Sequence, residues 1–463
     1  MLAMDHNTKF DLLPPSTKRP RPNVQDPSNS TRLVPPSKPP FPSSGSITKD
    51  KAEFPVTSLD DFYKNCPTYR LPVEVGAFSL DEEGKTQLDR SQLRYYVLPA
   101  HPTRPNFDLN IGFTQFSSTS KNVPSNKLNP ILRWISSYGD CFRPQQPLSP
   151  TEGPKRQNSL GNGILGKNGE EAEASPVSPK DRPDDLLTNF VTWRGMITKM
   201  MVSPYNKTEP WQFAATRHRG TIYLSEVETE EAKEASAKQT PRMELMCYWG
   251  LKFEDYLTNK DPPPPMKPSP LPSNPSTPVT KPGTINPNRG YCTVVRTRMN
   301  THSLVMAAEV DAADHQSIDK IPRNYIEFKT SRVILTDRNK SSFKRHKLMK
   351  WWAQSFLVGI PRIICGFRDD EGIVRSMQTF RTSEIPRETQ NDLTMWQPAV
   401  CMNFLDELLT WIRKTVTIDD PSVVYLVEWR APYTSVTATK CPPDSEHVFL
   451  PRWYLDKQPP PED

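Results

Sequence analysis

Two short stretches of this chain, LVMAAEVD at 304–311 and NYIEFKT at 324–330, decide its fold. β-Branched, aliphatic and aromatic residues dominate both stretches, which is typical of strands. In the first stretch, Glu309 and Asp311 stand two positions apart. A strand places such residues on the same face, about 7 Å apart along the chain. The pattern therefore predicts a pair of carboxylates on one face of a sheet.

The second stretch repeats this geometry with Glu327 and Lys329. If the two strands pair, three carboxylates and one ammonium group converge on one surface. Several hard oxygen ligands together suit Mg²⁺ or Mn²⁺, which activate water and neutralise phosphate charge. An acid followed at short range by Glu-x-Lys is also the skeleton of a large class of metal-dependent nucleases. The alternative, a solvated sheet face that carries acids and a lysine, stays open, because the alternating apolar residues require only that the opposite face be buried.

Strands and helices alternate through the rest of the folded region. Runs rich in β-branched and aromatic residues predict further strands at 220–228 and 291–298, and a hairpin at 361–368 and 372–380. Apolar residues that recur at spacings of three and four predict helices at 184–201, 241–258, 341–357 and 396–415. The alternation lacks a strict βαβ rhythm. The predicted fold class is therefore mixed α/β (α+β), with a sheet flanked by helices.

One of these predicted helices, at 341–357, has a basic side. Lys347, Lys350 and Gln354 recur at helical spacing and can face a phosphate together. The residues predicted to pack inward are Leu348, Trp352 and Phe356. The alternative is a basic amphipathic helix that binds no ligand. Helical periodicity does not select Glu254 in the preceding predicted helix, and by this criterion alone it is a surface acid.

Proline marks the segments that lie outside the folded core. The chain contains 51 prolines in 463 residues, about twice the usual share. They concentrate, together with serine, in a tail at 1–52 and in insertions at 143–183 and 260–289. Such segments cannot bury enough apolar surface to fold. We therefore predict one catalytic domain at 53–456 with two disordered insertions, followed by a short tail at 457–463.

Composition also excludes several classes of protein. The seven cysteines lack CxxC spacing, which argues against a zinc knuckle and a disulfide framework. No apolar run approaches the roughly 20 residues that cross a bilayer, so we expect a protein that does not associate with membranes. The formal net charge of +6 is compatible with a polyanionic partner. Lys18-Arg19-Pro20-Arg21 is a short basic run of the kind that directs proteins to the nucleus, where we expect this one.

Taken together, several strings of the sequence resemble the DXO family of RNA decapping and 5′-end quality-control enzymes. The resemblance spans about 53–456 and is carried by FSLD (78–81), LRYY (93–96), PNFDL (105–109), VTWRG (191–195), TIYLSEVET (221–229), GLKFEDY (250–256), AEVD (308–311), IEFKTS (326–331), HKLMKWWAQSF (346–356), GFR (366–368), CMNF (401–404) and FLPRWY (449–454). Two departures lie toward the cap end of the family's site: no basic residue follows FSLD at Glu82-Glu83-Gly84, and Ser125-Asn126-Lys127 stands where an acid is expected.

The resemblance implies a two-sheet α/β core with flanking helices and an active-site cleft between the sheets. It implies two Mg²⁺ or Mn²⁺ ions, with these ligands: Glu254, Glu309, Asp311, Glu327 and the backbone carbonyl of Phe328. It assigns catalysis to Glu309, Asp311, Glu327, Lys329 and Gln354, and substrate binding to Arg194, Cys292, Glu309, Lys329 and Gln354. Glu254, which periodicity does not select, is thus assigned only through the resemblance.

The activity implied is metal-dependent hydrolysis at RNA 5′ ends. The substrates are RNAs with a triphosphate, an incomplete cap or an NAD cap, and a 5′→3′ exoribonuclease activity is included. Two alternatives stay open at the level of sequence. One is a non-catalytic partner that stabilises a nuclear 5′→3′ exoribonuclease, although a scaffold does not need every acid of the site. The other is a DNA nuclease with the same acid-plus-ExK skeleton.

Overall fold

A computed structural model of the chain describes residues 51–116, 128–139, 186–238, 240–262, 285–317, 319–390, 392 and 394–461. Most of the predicted tail, with the basic run at 18–21, and most of the predicted insertions therefore lie outside the described residues. The departure at 125–127 lies outside them as well. The predicted tail at 1–52 ends two residues too late, because a strand begins at Lys51 and pairs with the sheet.

The fold is mixed α/β, as predicted. Its strands are β1 (Lys51–Pro55), β2 (Val73–Leu80), β3 (Thr86–Gln87), β4 (Tyr95–Tyr96), β5 (Phe107–Asp108), β6 (Phe190–Trp193), β7 (Trp211–His218), β8 (Thr221–Val227), β9 (Thr258–Asn259), β10 (Gly290–Met299), β11 (His302–Glu309), β12 (Ala312–Ala313), β13 (Tyr325–Arg332), β14 (Arg362–Arg368), β15 (Ile373–Arg381), β16 (Val424–Trp429) and β17 (Ser435–Lys440). Its helices are α1 (Asn129–Tyr138), α2 (Arg194–Val202), α3 (Glu230–Ala237), α4 (Pro241–Leu257), α5 (Asp337–Ser342), α6 (Met349–Val358), α7 (Pro398–Thr415) and α8 (Arg452–Leu455).

The strands form two sheets. The larger sheet has the order β1-β17-β16-β7-β8-β6-β11-β10-β2-β3, and the smaller has the order β5-β15-β14-β13-β12-β4-β9. The antiparallel pair β10–β11 lies in the larger sheet, where β6 runs parallel to β11. In the smaller sheet β13 pairs with β14 in parallel, and β14 and β15 form the predicted hairpin.

The sequence left open whether the two acid-bearing strands pair, and in the structure they do not. The first, β11, belongs to the larger sheet and ends at Glu309, whereas β13, which carries Glu327, belongs to the smaller sheet. The amide of Val310 still donates to the carbonyl of Tyr291 on β10, at 2.9 Å. The chain then crosses to the smaller sheet, where β12 pairs with β13. Asp311 therefore lies in the crossover and not on a strand.

The predicted helix at 184–201 is only half correct. Phe190–Trp193 form β6, and α2 begins at Arg194. Phe190 and Val191 are buried between β8 and β11, so pairing with two neighbouring strands overrides the helical spacing. The predicted helices at 241–258 and 396–415 are confirmed as α4 and α7.

The predicted helix at 341–357 is interrupted by a π-helical turn. This turn, Phe343–Leu348, lies between α5 and α6 and shifts the phase of the helix. The side chains predicted to pack inward, Leu348, Trp352 and Phe356, are all buried. The hydrophobic spacing therefore identifies the buried side of α6, although it cannot show the change of phase at the turn.

Three apolar clusters hold the layers together. The main cluster packs α2, α6 and α7 against the larger sheet. A second cluster places α1 on the opposite face, where Trp134 lies so close to Gly76 that a Cβ there would be 2.2 Å from the indole. The third packs α4 on the smaller sheet through Trp249 and Phe253. None of the helices in the described part of the chain is long and apolar enough to span a membrane.

Candidate active site

Three of the predicted acids line one cavity between the two sheets. Glu254 comes from α4, Glu309 from the end of β11 and Asp311 from the crossover. The cavity has a volume of about 400 Å³ and is also lined by Gln92, Arg94, Leu251, Asp255, Thr258, Asn259, Lys260, Ile285, Asn286, Arg289, Gly290, Tyr291 and Val310. The acids thus converge because the chain passes from one sheet to the other, and not because two acidic strands pair.

Helix α4 places Glu254 at this cavity. The helix begins after Thr240, whose hydroxyl accepts the amide of Met243 at 3.3 Å, with proline in its first turn. Its buried side packs on the smaller sheet, where Phe253 lies over Gly366. A Cβ at Gly366 would be 2.6 Å from the Phe253 ring, so glycine is needed for this close approach. The adjacent Glu254 is thereby held at the edge of the sheet that faces the other acids.

Glu327 is the most buried of the acids, at 3% exposure. The ammonium group of Lys329 donates to its Oε1 at 2.5 Å, and the guanidinium of Arg194 lies 3.9 Å from its Oε2. Both Glu327 Oε2 and the facing nitrogen of Arg194 are buried and have no hydrogen-bond partner among the described residues. A buried polar atom without a partner is costly, so this pair is poised to contact a group that enters the site.

The site holds more negative charge than its cations neutralise. Burial, and then repulsion from Glu327, raise the pKa of Asp311 to about 8. Burial and the neighbouring carboxylates raise the pKa of Glu254 well above its usual range, and the pKa of Glu309 is raised by burial and by Glu327. Burial also acts to raise the pKa of Glu327, but Lys329 and Arg194 outweigh it and the pKa is lowered. Glu327 is therefore the acid of this site whose ionised form is favoured in the absence of metal.

These residues fit a divalent cation by their chemistry. They are hard oxygen donors, their charge is incompletely neutralised, and one buried carboxylate oxygen has no partner. Among the described residues, however, no three histidine, cysteine, aspartate or glutamate side chains stand at the spacing of a formed metal centre. Lys329 holds one oxygen of Glu327, and the amide of Phe328 donates to Asp311 Oδ2 at 2.6 Å. Metal binding would replace some of these hydrogen bonds by bonds to the metal. That the backbone carbonyl of Phe328 is a metal ligand stays a prediction.

The predicted substrate-binding residues take different positions. Cys292 lies directly opposite Glu309 in the β10–β11 register and is buried, which raises the pKa of its thiol well above the usual range. Arg194 begins α2 and faces Glu327. Gln354 does not line the acidic cavity. It lines a separate cavity of about 330 Å³ with Gly195, the neighbour of Arg194.

The prediction that one side of a helix carries Lys347, Lys350 and Gln354 is wrong for Lys347. Lys347 donates to the hydroxyl of Ser331 on β13 at 3.0 Å. Lys350 instead contacts Glu209 at 2.6 Å, and it lines the same cavity as Gln354. Lys347 belongs to the π-helical turn, whose extra residue rotates it away from the side that Lys350 and Gln354 share.

A polar network behind the acids was not predicted from the sequence. The hydroxyl of Tyr325 on β13 donates to Glu74 Oε2 on β2 at 2.7 Å and lies 3.0 Å from the hydroxyl of Tyr291 on β10. Arg90 donates to the Tyr291 hydroxyl at 2.7 Å and forms an ion pair with Glu74. Because β2 and β10 belong to the larger sheet and β13 to the smaller, this network joins the two sheets close to Glu327. No single stretch of sequence contains it.

The predicted C-terminal boundary of the second insertion, residue 289, lies too far along the chain. Ile285, Asn286 and Arg289 line the acidic cavity, so the last part of the insertion belongs to the site. The side-chain amide of Asn286 donates to the carbonyl of Glu82 at 3.0 Å, and Arg289 forms an ion pair with the Glu82 carboxylate. Proline content predicts that the segment is a linker. Its contact with the loop at 81–84 is seen only in the tertiary structure.

Comparison with known proteins gives consistent results. The sequence profile of a family described as RAI1 like PD-(D/E)XK nuclease matches residues 70–455. The chain is 34% identical over 441 residues to the decapping and exoribonuclease protein of Xenopus laevis, which covers 94% of this chain and 96% of that protein. It is 36% identical over 394 residues to the human protein of the same name, covering 84% and 86% of the two chains.

Solved structures share the fold. The crystal structure of Schizosaccharomyces pombe Rai1 matches with a TM-score of 0.58 and 25% identity, covering 85% of this chain and 100% of that one. Candida albicans Rai1, solved in complex with pU5 and Mn²⁺, matches with a TM-score of 0.65 and 22% identity, covering 88% and 99% of the two chains. The two-sheet core with flanking helices, implied by the resemblance, is thus confirmed.

Proposed function

The chain belongs to the RAI1-like PD-(D/E)XK nuclease family, and from this we propose that it is a metal-dependent decapping nuclease of RNA 5′ ends. Curated relatives that share a third of its residues are named decapping and exoribonuclease proteins. One observation carries the proposal most directly. Glu327-Phe328-Lys329 has the acid-any-lysine form of the family's description, and its Glu327 is buried beside Lys329 and Arg194, next to the other acids.

The reaction is attack of water on a phosphorus atom at the RNA 5′ end. Glu254, Glu309, Asp311 and Glu327 would hold the divalent metal, which when bound polarises the phosphate and activates water. Lys329 and Arg194 carry positive charge at the same point and stabilise the charge that develops on the phosphate oxygens. Both cations already lie beside Glu327 before the substrate arrives.

The rim of the acidic cavity supports binding of a polyanion. Arg94, Lys260 and Arg289 line it together with the acids. The backbone of Arg94 is fixed because its carbonyl accepts the amide of Ala313 in β12, at 2.9 Å. These cations would attract the phosphates that follow the 5′ end and so offset their repulsion by the acids. Cys292 is buried and the pKa of its thiol is raised, which argues against nucleophilic attack. Its proposed contact with the substrate rests on the family resemblance.

We further propose that the metal is Mg²⁺ or Mn²⁺ and that two ions bind. Four carboxylates line or adjoin the site. Such a set can hold two hard cations if the ammonium group of Lys329 releases Oε1 of Glu327. Isothermal titration with Mn²⁺ at about neutral pH should give two ions per chain in the wild type and fewer in Glu254→Gln. A stoichiometry of one in the wild type would refute the two-ion arrangement.

The activity is tested on a panel of RNAs that differ only in the 5′ end. Purified protein is incubated with triphosphate, unmethylated cap, methylated cap, NAD and monophosphate RNAs, and the released group is identified. We expect release from triphosphate, incompletely capped or NAD-capped RNA that depends on added metal. A DNA strand of the same sequence serves as the control. Equal cleavage of both strands, without preference for the 5′ group, would instead support the DNA nuclease alternative.

Two further proposals concern the cell. The basic run at 18–21 is proposed to direct the protein to the nucleus, and a fluorescent fusion of residues 1–52 that stays in the cytoplasm would remove that support. A nuclear 5′→3′ exoribonuclease is proposed as a partner, on the resemblance alone. Purification of the tagged Asp311→Ala protein tests both this partner and the non-catalytic alternative, since a scaffold would retain its function without the acid.

A further inference from the structure

A second polar cavity lies at the other end of the β10–β11 pair. Glu309 ends β11 at the acidic cavity, and His302 begins the same strand at the opposite end. Seven residue steps of a strand separate the two by about 23 Å. The second cavity has a volume of about 320 Å³ and is lined by Asn189, Arg217, Gly220, Ile222, Thr301, His302, Thr410, Arg413 and Lys414. None of these residues belongs to the site described above.

The charges of this cavity are almost entirely positive. Its described lining contains Arg217, Arg413 and Lys414 and no carboxylate. Within the part of the chain that the structure describes, neither Arg413 nor Lys414 forms an ion pair. Arg217 lies 3.9 Å from Asp419, whose carboxylate also accepts the amide of Gly220 at 2.7 Å. Even so, the Nε of Arg217 is buried, and no described residue forms a hydrogen bond with it.

A buried histidine forms the floor of this basic cavity. His302 is 1% exposed, and its Nε2 lies 2.9 Å from the hydroxyl of Thr410. Its Nδ1 lies 3.5 Å from a guanidinium nitrogen of Arg413. A guanidinium can only donate, so Nδ1 accepts and the proton of the neutral ring is on Nε2. His302 therefore adds no charge, but it orients Arg413 toward the cavity.

A neighbouring cavity extends the basic surface. It has a volume of about 530 Å³ and shares Thr301 and Thr410 with the first. It adds the exposed cations Arg70 and Arg298. Its one described lining carboxylate is Asp406, whose Oδ2 accepts the side-chain amide of Asn300 at 2.7 Å. Its Oδ1 lies 3.5 Å from Nε2 of His302 and has no hydrogen-bond partner among the described residues, so this carboxylate reduces the positive charge on one side of the basic surface. No phenylalanine, tyrosine or tryptophan is among the described residues that line either cavity, and the imidazole of His302 is only 1% exposed, so no aromatic ring is open for a base to stack on.

We propose that the basic cavity formed by Arg217, His302, Arg413 and Lys414 binds a phosphate group. Converging guanidinium and ammonium groups, with the hydroxyl of Thr301 at hand, are the donors that a phosphate requires. The phosphate is either free, as in a mononucleotide, or part of an RNA backbone. Because no exposed aromatic ring lines the cavity, we expect recognition to be independent of base identity. The site is separate from the acids and does not depend on the proposed hydrolysis.

The test compares two double variants of the full chain with equal loss of charge. Arg413→Gln with Lys414→Gln removes two cations of the cavity, and Arg387→Gln with Lys340→Gln removes two exposed cations elsewhere. Binding is measured for inorganic phosphate, for uridine monophosphate, and for single-stranded RNAs of 5 and 25 nucleotides, with metal removed so that no cleavage occurs. Thermal melting checks that both variants fold, and Arg217→Gln replaces the first pair if they do not.

We expect the cavity variant to bind at least one phosphate ligand tenfold more weakly, while the control variant binds like the wild type. Loss for mononucleotide and RNA alike assigns free phosphate, and loss for the longer RNA alone assigns backbone phosphates. In the latter case the dependence of log affinity on log salt should also fall by about 1.4, the value for two lost contacts to a single strand. Equal affinities of the two variants for all four ligands would overturn the proposal.

Discussion

The two ends of the β10–β11 pair differ in charge and in how that charge is compensated. At the acidic end, Glu309 stands with Glu254, Asp311 and Glu327, and only Lys329 and Arg194 oppose them at close range. At the basic end, cations face a buried, neutral histidine, and carboxylates are nearly absent from the described lining. Each end therefore lacks the charge that the other has in excess.

This difference shows what a rigid pair of strands contributes. Acids and bases on flexible segments would pair with each other, and both binding sites would be lost. Strand β11 is paired with β10 along its whole length, and both strands are buried for most of it, so they hold the two ends about 23 Å apart. Each end therefore takes its counter-charge from a ligand. We propose that this is a metal with a phosphate at the acidic end and a phosphate at the basic end.

The largest expected effect comes from removing a charge at the acidic end. Glu327→Gln keeps the size of the side chain but loses the ion pairs with Lys329 and Arg194. We expect hydrolysis of the RNA 5′ end to fall roughly 10³-fold, since a group that holds the metal and orients Lys329 is lost. Phosphate binding at the basic end should stay unchanged. Glu53→Gln, on the exposed edge strand β1, is the control. Activity within tenfold of the wild type would refute the site.

A second effect is pH-dependent and also belongs to the acidic end. The pKa of Asp311 is raised from 3.8 to about 8 in the folded, metal-free protein. The folded state then holds a proton that the unfolded state releases, so stability from this group is present below the lower value and is lost as pH rises through the upper one. We expect the melting temperature without metal to fall between about pH 4 and pH 8, and Mg²⁺ to raise it more at the higher pH.

Asp311→Asn sharpens this measurement. The amide oxygen can still accept the backbone amide of Phe328, but the side chain no longer ionises. The metal-free variant should therefore lose less stability with rising pH than the wild type, and Mg²⁺ should stabilise it less. If the variant and the wild type show the same pH profile without metal, the charge of Asp311 is not what destabilises this end.

A smaller effect is expected from the network that joins the sheets. Tyr325→Phe removes a hydroxyl that contacts Glu74 and Tyr291, which costs about 1–2 kcal/mol. Tyr325 is a positioning residue, because it lies two positions before Glu327 on β13 and touches no substrate. We expect kcat to fall about tenfold with KM nearly unchanged. Tyr138→Phe, on the exposed side of α1, is the control. A lower melting temperature with normal kcat would show that the network is only structural.

The smallest effect is expected from the second insertion. Replacing 263–284 with a short Gly/Ser bridge removes the proline-rich part but keeps Ile285 and Arg289, which line the acidic cavity. Loop closure changes by only about 0.6 kcal/mol per doubling of length, so the melting temperature and the decapping rate on a short RNA should be nearly unchanged. Normal melting with more than a tenfold loss of activity would show that the segment is part of the substrate path.

The sequence by itself determined the elements and the residue types of the site. Alternating and helical spacing located α4, α7, the β14–β15 hairpin and both acid-bearing stretches, because these patterns reflect burial along one element. The motif strings placed the chain in its family. The acid-any-lysine string at 327–329 also indicated metal-dependent hydrolysis, since its side chains leave one face of a single strand.

Only the tertiary structure decided how these residues meet. Glu309 and Glu327 lie on different sheets and converge through a crossover at Val310 and Asp311, which periodicity within one strand cannot reveal. The network of Glu74, Arg90, Tyr291 and Tyr325 and the basic cavity at His302 join residues that are far apart in sequence. Such contacts depend on how sheets and helices pack. Packing is a property of the whole chain, whereas spacing is a property of one segment.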